Sequence, residues 1–196
     1  MRKSNREAFV FFTPGFYIAL AVTLLIVPLR WVVSWYTALF AHELFHYCAV
    51  RACGKNVYQI RFRLQGAFMD TDGFTNLQSI FCALAGPLAG ILLLFTGRWF
   101  PRLAVCGLLQ SLYNLLPVFP LDGGRALRGF VCSVLELRKG ERVCRYIGNT
   151  AFCTLIALAV YAVVHLKLGL LPLVFVVLLY LKNIKTTCKA STERVK

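Results

Sequence analysis

Charge is scarce in this chain. Only 15% of its 196 residues are Asp, Glu, Lys or Arg, against about 25% in an ordinary soluble domain, while 59% are hydrophobic. That balance excludes a soluble globular protein. Acidic residues are scarcer still, eight against 22 basic ones, an excess that in a soluble chain would point first to nucleic acid. The eight cysteines contain no C-x-x-C pair, and several lie inside apolar runs, where a thiol behaves as a small hydrophobe; they read as structural and reduced. No internal repeat, low-complexity segment or appended soluble domain is visible.

What the chain has is long apolar runs, at about Phe9–Val27, Trp31–Val50, Leu77–Phe95, Leu103–Leu121, Ile147–Val164 and Leu168–Leu181. A hydrocarbon core about 30 Å thick takes roughly 20 apolar residues per helix, so six crossings consume most of the chain and predict one compact integral-membrane domain over residues 1–196. The basic start followed by Ala19-Leu20-Ala21 has the outline of a cleaved signal, but the apolar run continues to Pro28, which favours an uncleaved first span. With a cytoplasmic amino terminus, 18 basic residues fall inside and only Arg30, Arg98, Arg102 and Lys167 outside. That asymmetry is the positive-inside pattern for six spans with both termini cytoplasmic, and it accounts for the net charge of +14 without nucleic acid. Trp31, Trp35 and Trp99 lie near predicted span ends, as interface anchors do.

Two stretches depart from the spanning pattern. Tyr58, Ile60, Phe62 and Leu64 alternate with polar residues up to Gln65, the period of a half-buried strand, and Gly66 and Asp70-Thr71-Asp72-Gly73 supply turn signals. This predicts a short membrane-associated β-hairpin, either an amphipathic loop or an exposed edge able to accept a peptide strand. Gly123–Arg145 is too charged to cross and predicts a short interfacial helix with a linker. The fold class expected is therefore an all-α polytopic membrane protein with about six transmembrane helices and one small hairpin.

Chemistry concentrates in His42-Glu43-Leu44-Phe45-His46. Spacing of i, i+4 puts both imidazoles on one helix face, within reach of one metal ion, and the glutamate beside the first can act on a water activated there. Ionisable side chains inside an apolar span are expensive and usually functional. Catalytic zinc sites commonly use three protein ligands, so a third must come from elsewhere. His165 sits at the outer end of the fifth run, and the other carboxylates lie in basic segments or in the hairpin turn. Asp122 is the remaining candidate, at the end of Asn114-Leu115-Leu116-Pro117-Val118-Phe119-Pro120-Leu121-Asp122-Gly123-Gly124, where prolines break the helix and glycines permit close backbone approach. Its structural alternative is a helix N-cap.

His42-Glu43-x-x-His46 together with Asn114-x-x-Pro117-x-x-Pro120-x-Asp122-Gly123-Gly124 resembles the site-2 protease family of intramembrane zinc metalloproteases. Ala85-Gly86-Pro87-Leu88-Ala89-Gly90 is similar to a further family signature, and the likeness covers roughly residues 35–130. The layout looks most like the small branch containing the sporulation stage IV protease, without that protein's CBS domain. The resemblance implies one zinc ion per chain held by His42, His46 and Asp122, with Glu43 as catalytic base and Asn114 at the active site. A substrate helix must unwind to expose its carbonyls, and Tyr58, Ile60, Phe62 and Leu64, with Gly86 and Pro87, are the candidates for holding it; for Gly86 and Pro87 the alternative is close helix packing.

The function so implied is hydrolysis of a peptide bond in or near a membrane-spanning or membrane-associated segment of a substrate protein. The alternatives are a non-catalytic relative that binds membrane segments, and a proton or ion pathway, which would not need Glu43 between the histidines. The expected partners are a membrane protein substrate and the lipid bilayer, with no nucleic acid; short loops and topology suggest a bacterial plasma membrane.

Overall fold

The computed structural model describes residues 9–63, 66–165 and 176–177. It is mostly helical with one small sheet, in the order β1 (Phe9–Phe12), α1 (Pro14–Ile26), α2 (Leu29–Ala52), β2 (Val57–Arg63), β3 (Gly66–Thr71), α3 (Asn76–Leu92), α4 (Pro101–Asn114), α5 (Asp122–Val134) and α6 (Leu137–Val164). The chain divides into two compact units, one ending at Tyr113 and the other beginning at Asn114.

In the first unit the expected hairpin is present and has gained a strand. β2 and β3 pair antiparallel, with Ile60 opposite Met69 and Phe62 opposite Ala67. β1 pairs parallel to β2, Phe9 opposite Gln59 and Phe12 opposite Phe62, giving the order β1-β2-β3. The first apolar run is thus not one span. Thr13 precedes a proline, which biases it to extended backbone, and Pro14 opens α1 at a position where its missing N–H costs nothing. Thr13 ties the junction to the sheet through its backbone N–H and its hydroxyl, both donating to the Phe62 carbonyl. With 13 residues at about 1.5 Å each, α1 falls well short of a hydrocarbon core about 30 Å thick.

The sheet packs beside the C-terminal half of α2 and the start of α3, around buried Ala49, Val50, Val57 and Cys82, with Ile60 and Met69 against them. Further along the same face Phe62 stacks on Phe12, ring centroids 5.0 Å apart, and meets Phe16 and Phe40. α3 starts with a reciprocal capping box between Thr75 and Gln78. It approaches α4 so closely that a Cβ on Gly90 would run into the Gly107 carbonyl and the Ser111 hydroxyl. Ser111 donates to the Pro87 carbonyl at 2.7 Å.

In the second unit α5 and α6 pack together, linked by an Arg128–Glu141 ion pair of 2.9 Å. The segment expected to be a short interfacial helix with a linker is α5, a break at Leu135 and Glu136, and the first turns of α6. Among the described residues two stretches, Asn76–Thr96 and Leu137–Tyr161, are helical, long and apolar enough to cross a membrane. α4 has 14 residues because Pro117 and Pro120 follow it, and the sixth apolar run lies outside the described residues apart from Val176 and Val177. Large apolar side chains stand exposed along the helices, among them Leu25, Ile26, Leu77 and Phe95, a surface unsuited to water.

Candidate metal centre

α2 carries His42 and His46 one turn apart, so their rings share a face. Their Nε2 atoms lie 3.1 Å apart, and His42 is buried with 4% of its surface exposed. Two nitrogens held 2.0–2.1 Å from one tetrahedral zinc ion would lie about 3.3 Å apart, so the pair is already near that spacing. The His46 Nδ1 atom is 2.7 Å from the Cys82 carbonyl. A carbonyl only accepts, so Nδ1 holds a proton, which leaves Nε2 as the nitrogen that a neutral ring offers to a metal.

α3 supplies the facing wall. An added Cβ at Gly86 would lie 2.6 Å from His42 Nε2 and closer still to His46 Nε2. The missing side chain is therefore what leaves room at the two nitrogens. Sequence reasoning placed Gly86 between helix packing and substrate binding and did not see this role; only the register of α3 on α2 shows it. Pro87 is buried and turns its carbonyl to Ser111. Glu43, half-buried, follows His42 and sits about 100° further around the helix.

Asn114 and Asp122 belong to the second unit. Asn114 is the last residue of α4, and Asp122 is the first of α5, with 7% exposure. The N-cap position belongs to Leu121, whose carbonyl accepts from the Arg125 N–H at 3.0 Å, so Asp122 is not the cap. Gly123 and Gly124 are needed because the 115–119 segment folds back on them: a Cβ on Gly123 would strike the Leu115 carbonyl, and one on Gly124 would lie 2.6 Å from Phe119 N.

The hairpin residues have separate surroundings. Tyr58 is exposed and its hydroxyl donates to Asp72 Oδ1 at 2.7 Å; Ile60 packs on the core, Phe62 is buried among aromatics, and Leu64 lies outside the described residues. β2 is the inner strand, so it offers no free edge; the outer strands are β1 and β3. The Asn56 N–H and the Tyr58 hydroxyl, with Lys55 nearby, hold the Asp72 carboxyl below the usual carboxylate range.

No family model matches the chain. Rip3 of Mycobacterium tuberculosis, named as a proposed zinc metalloprotease, is 32% identical over 146 residues, which cover 64% of this chain and 36% of Rip3. A zinc metalloprotease of Methanocaldococcus jannaschii is 27% identical over 59% of this chain and 38% of its own length. A proposed zinc metalloprotease of Synechocystis is 32% identical over 61% and 38%. Among solved structures, the site-2 protease from Methanocaldococcus jannaschii superposes with a TM-score of 0.66 at 19% identity, covering 92% of both chains. In sequence this chain is similar to these zinc metalloproteases, and its fold is that of the site-2 protease. It spans 36–38% of the length of these curated relatives.

Proposed function

We propose that the chain is an intramembrane zinc endopeptidase that hydrolyses a peptide bond in or near a membrane segment of a substrate protein. The observation that carries the reading is the His42–His46 pair, with Nε2 atoms 3.1 Å apart, the outer nitrogen of His46 committed to a carbonyl, and Gly86 leaving the space before them open. His42, His46 and Asp122 would hold one zinc ion; two imidazoles and a carboxylate are a known catalytic donor set with a fourth position left for reaction. When bound, zinc supplies an acidified water and a polarised scissile carbonyl. Glu43 takes the water's proton on its carboxylate and delivers it to the departing amine. The Asn114 amide bonds the substrate or the oxygen on which charge develops.

The substrate must be extended to be cut. In this reading the three-stranded sheet holds it beside Gly86 and Pro87, with Tyr58, Ile60 and Phe62 setting the position of the inner strand. The chain is an integral protein of a bacterial plasma membrane with both termini in the cytoplasm, a layout like that of the sporulation branch. Support comes from the basic-residue asymmetry, the two long apolar helices and the exposed apolar side chains. Glu43 between the histidines favours this reading over a proton pathway.

Elemental analysis of detergent-purified protein tests the reading. About one zinc per chain is expected in the wild type and a sharp reduction in Asp122→Ala; a wild type that neither retains nor takes up zinc would overturn it.

A further inference from the structure

One pair of side chains beside this centre has no part in hydrolysis. Cys53 is the C-cap of α2, two turns beyond His46 on the same helix, and Cys82 lies on α3. Their sulfur atoms are 3.9 Å apart. Cys82 is buried in the core formed with Ala49, Val50 and Val57, whereas Cys53 is half-buried and leads into Gly54, whose φ of 70° turns the chain away. Cys53 is therefore the more accessible residue of the two, with Cys82 behind it. Cys82 also touches the centre through its backbone, since its carbonyl is the group that accepts from His46 Nδ1 at 2.7 Å.

We infer that Cys53 and Cys82 are a redox-responsive pair, and that closing it to a disulfide disturbs the seat of His46. The coupling half of this inference rests on the proposed role of His46 as a zinc ligand. With α2 ending on the cytoplasmic side, the pair faces a reducing compartment, where disulfides are transient and regulatory rather than structural. A hydroperoxide supplies the oxidising equivalents. The Cys53 thiol attacks its O–O bond, takes one oxygen as a sulfenic acid and releases water or an alcohol. The Cys82 thiol then attacks that sulfur: the S–S bond forms, the S–O bond breaks, and water leaves with the Cys82 proton. Two thiols have lost two electrons to one peroxide, and a dithiol reverses the exchange. Bonding shortens the sulfur separation from 3.9 Å to about 2.05 Å. The movement is taken up by the Cys82 turn of α3, which carries the carbonyl on His46 and, one turn later, Gly86.

The test uses the full chain in detergent, reduced and then exposed to hydrogen peroxide, with disulfides mapped by non-reducing peptide mass spectrometry and zinc affinity measured against a chelator. A Cys53–Cys82 cross-linked peptide is expected, with zinc affinity weakened about tenfold, the scale of losing an outer hydrogen-bond partner of a ligand, and restored by dithiothreitol. Cys53→Ser should keep its zinc through the same treatment, and Cys153→Ser should respond as the wild type does. Oxidation of exposed Cys48 and Cys153 without the cross-link would overturn the pairing. A complete cross-link with unchanged zinc affinity would overturn the coupling. Absence of zinc from protein never oxidised is the separate failure of the metalloprotease reading; the coupling falls with it, and the peptide map still decides the pair.

Discussion

Gly86→Ala is the sharpest perturbation of the centre. The new methyl would lie 2.6 Å from His42 Nε2 and 2.7 Å from His42 Cε1, with His46 Nε2 nearer still, where ordinary contact begins at 3.4 Å. The His42 nitrogen would thus stand about 0.8 Å inside contact, against the ~0.2 Å to which ligand distances in a metal site are held. Relief can come from rotating the imidazoles, which lie on a packed helix face, or from backing α3 away from α2. Either breaks the Nε2 spacing or the His46–Cys82 hydrogen bond. Zinc affinity is therefore expected to fall about 10- to 100-fold, or ~1.4–2.8 kcal/mol, with overpacking costing ~1–3 kcal/mol of stability besides.

The control is Gly90→Ala, one turn along the same helix, where the methyl strikes Gly107 and Ser111 instead. It should destabilise the fold as much and leave zinc affinity per folded molecule near wild type. Competition titration with a chromophoric chelator, alongside thermal unfolding, separates the two effects. If Gly86→Ala binds zinc as tightly as the wild type, the space before the two nitrogens is not where the ion sits.

Glu43→Gln should bind zinc normally and lose roughly 10²- to 10⁴-fold in kcat, the usual worth of a positioned general base, measured by cleavage of a reconstituted membrane-segment substrate. Ser111→Ala removes the donor to the buried Pro87 carbonyl and should cost ~1–3 kcal/mol, read as a lower unfolding temperature with zinc content unchanged. Asp72 stabilises the hairpin only while ionised, because Asn56 N–H and Tyr58 OH both donate to it and depress its pKa. Its contribution is complete above the unfolded carboxylate value of 3.8 and is lost as pH falls through the lower folded value. Amide exchange in β2 and β3 should accelerate in that acidic window, and Tyr58→Phe should flatten the acid response; an identical pH profile in Tyr58→Phe would refute the assignment.

The histidine pair was legible from spacing because an α-helix fixes which side chains share a face, and the hairpin was legible because alternation survives wherever one sheet face is buried. The parallel partner β1 was not. Phe9-Val10-Phe11-Phe12 has no polar alternation, so within an apolar run it reads as the start of a helix; the punctuation lay in Thr13-Pro14, where a residue biased to extended backbone meets a ready helix start. That added strand also removed the free edge that alternation alone assigned to β2. Asp122 could be singled out by the prolines and glycines around it, but its place one residue beyond the N-cap depends on the 115–119 segment folding back on Gly123 and Gly124. No periodicity encodes that contact.

The segment Ala85-Gly86-Pro87-Leu88-Ala89-Gly90 reads in sequence as one packing motif, yet its two glycines have different neighbours. Gly86 admits the imidazoles of α2, and Gly90 admits the backbone of α4. Pro87 between them has no N–H to give to the Ala83 carbonyl one turn earlier, and its own carbonyl accepts from the Ser111 hydroxyl on α4. α3 is thus pinned on α4 at Gly90 and Ser111, and on α2 at Cys82 and Gly86. Its freedom to slide is limited at both contacts. The proton on His46 Nδ1 is set not by residues of its own helix but by the Cys82 carbonyl of α3. Gly90 and Ser111 accordingly set how α3 lies on α4, while Gly86 and Cys82 face the histidines, so the four residues separate into a packing pair and a site pair.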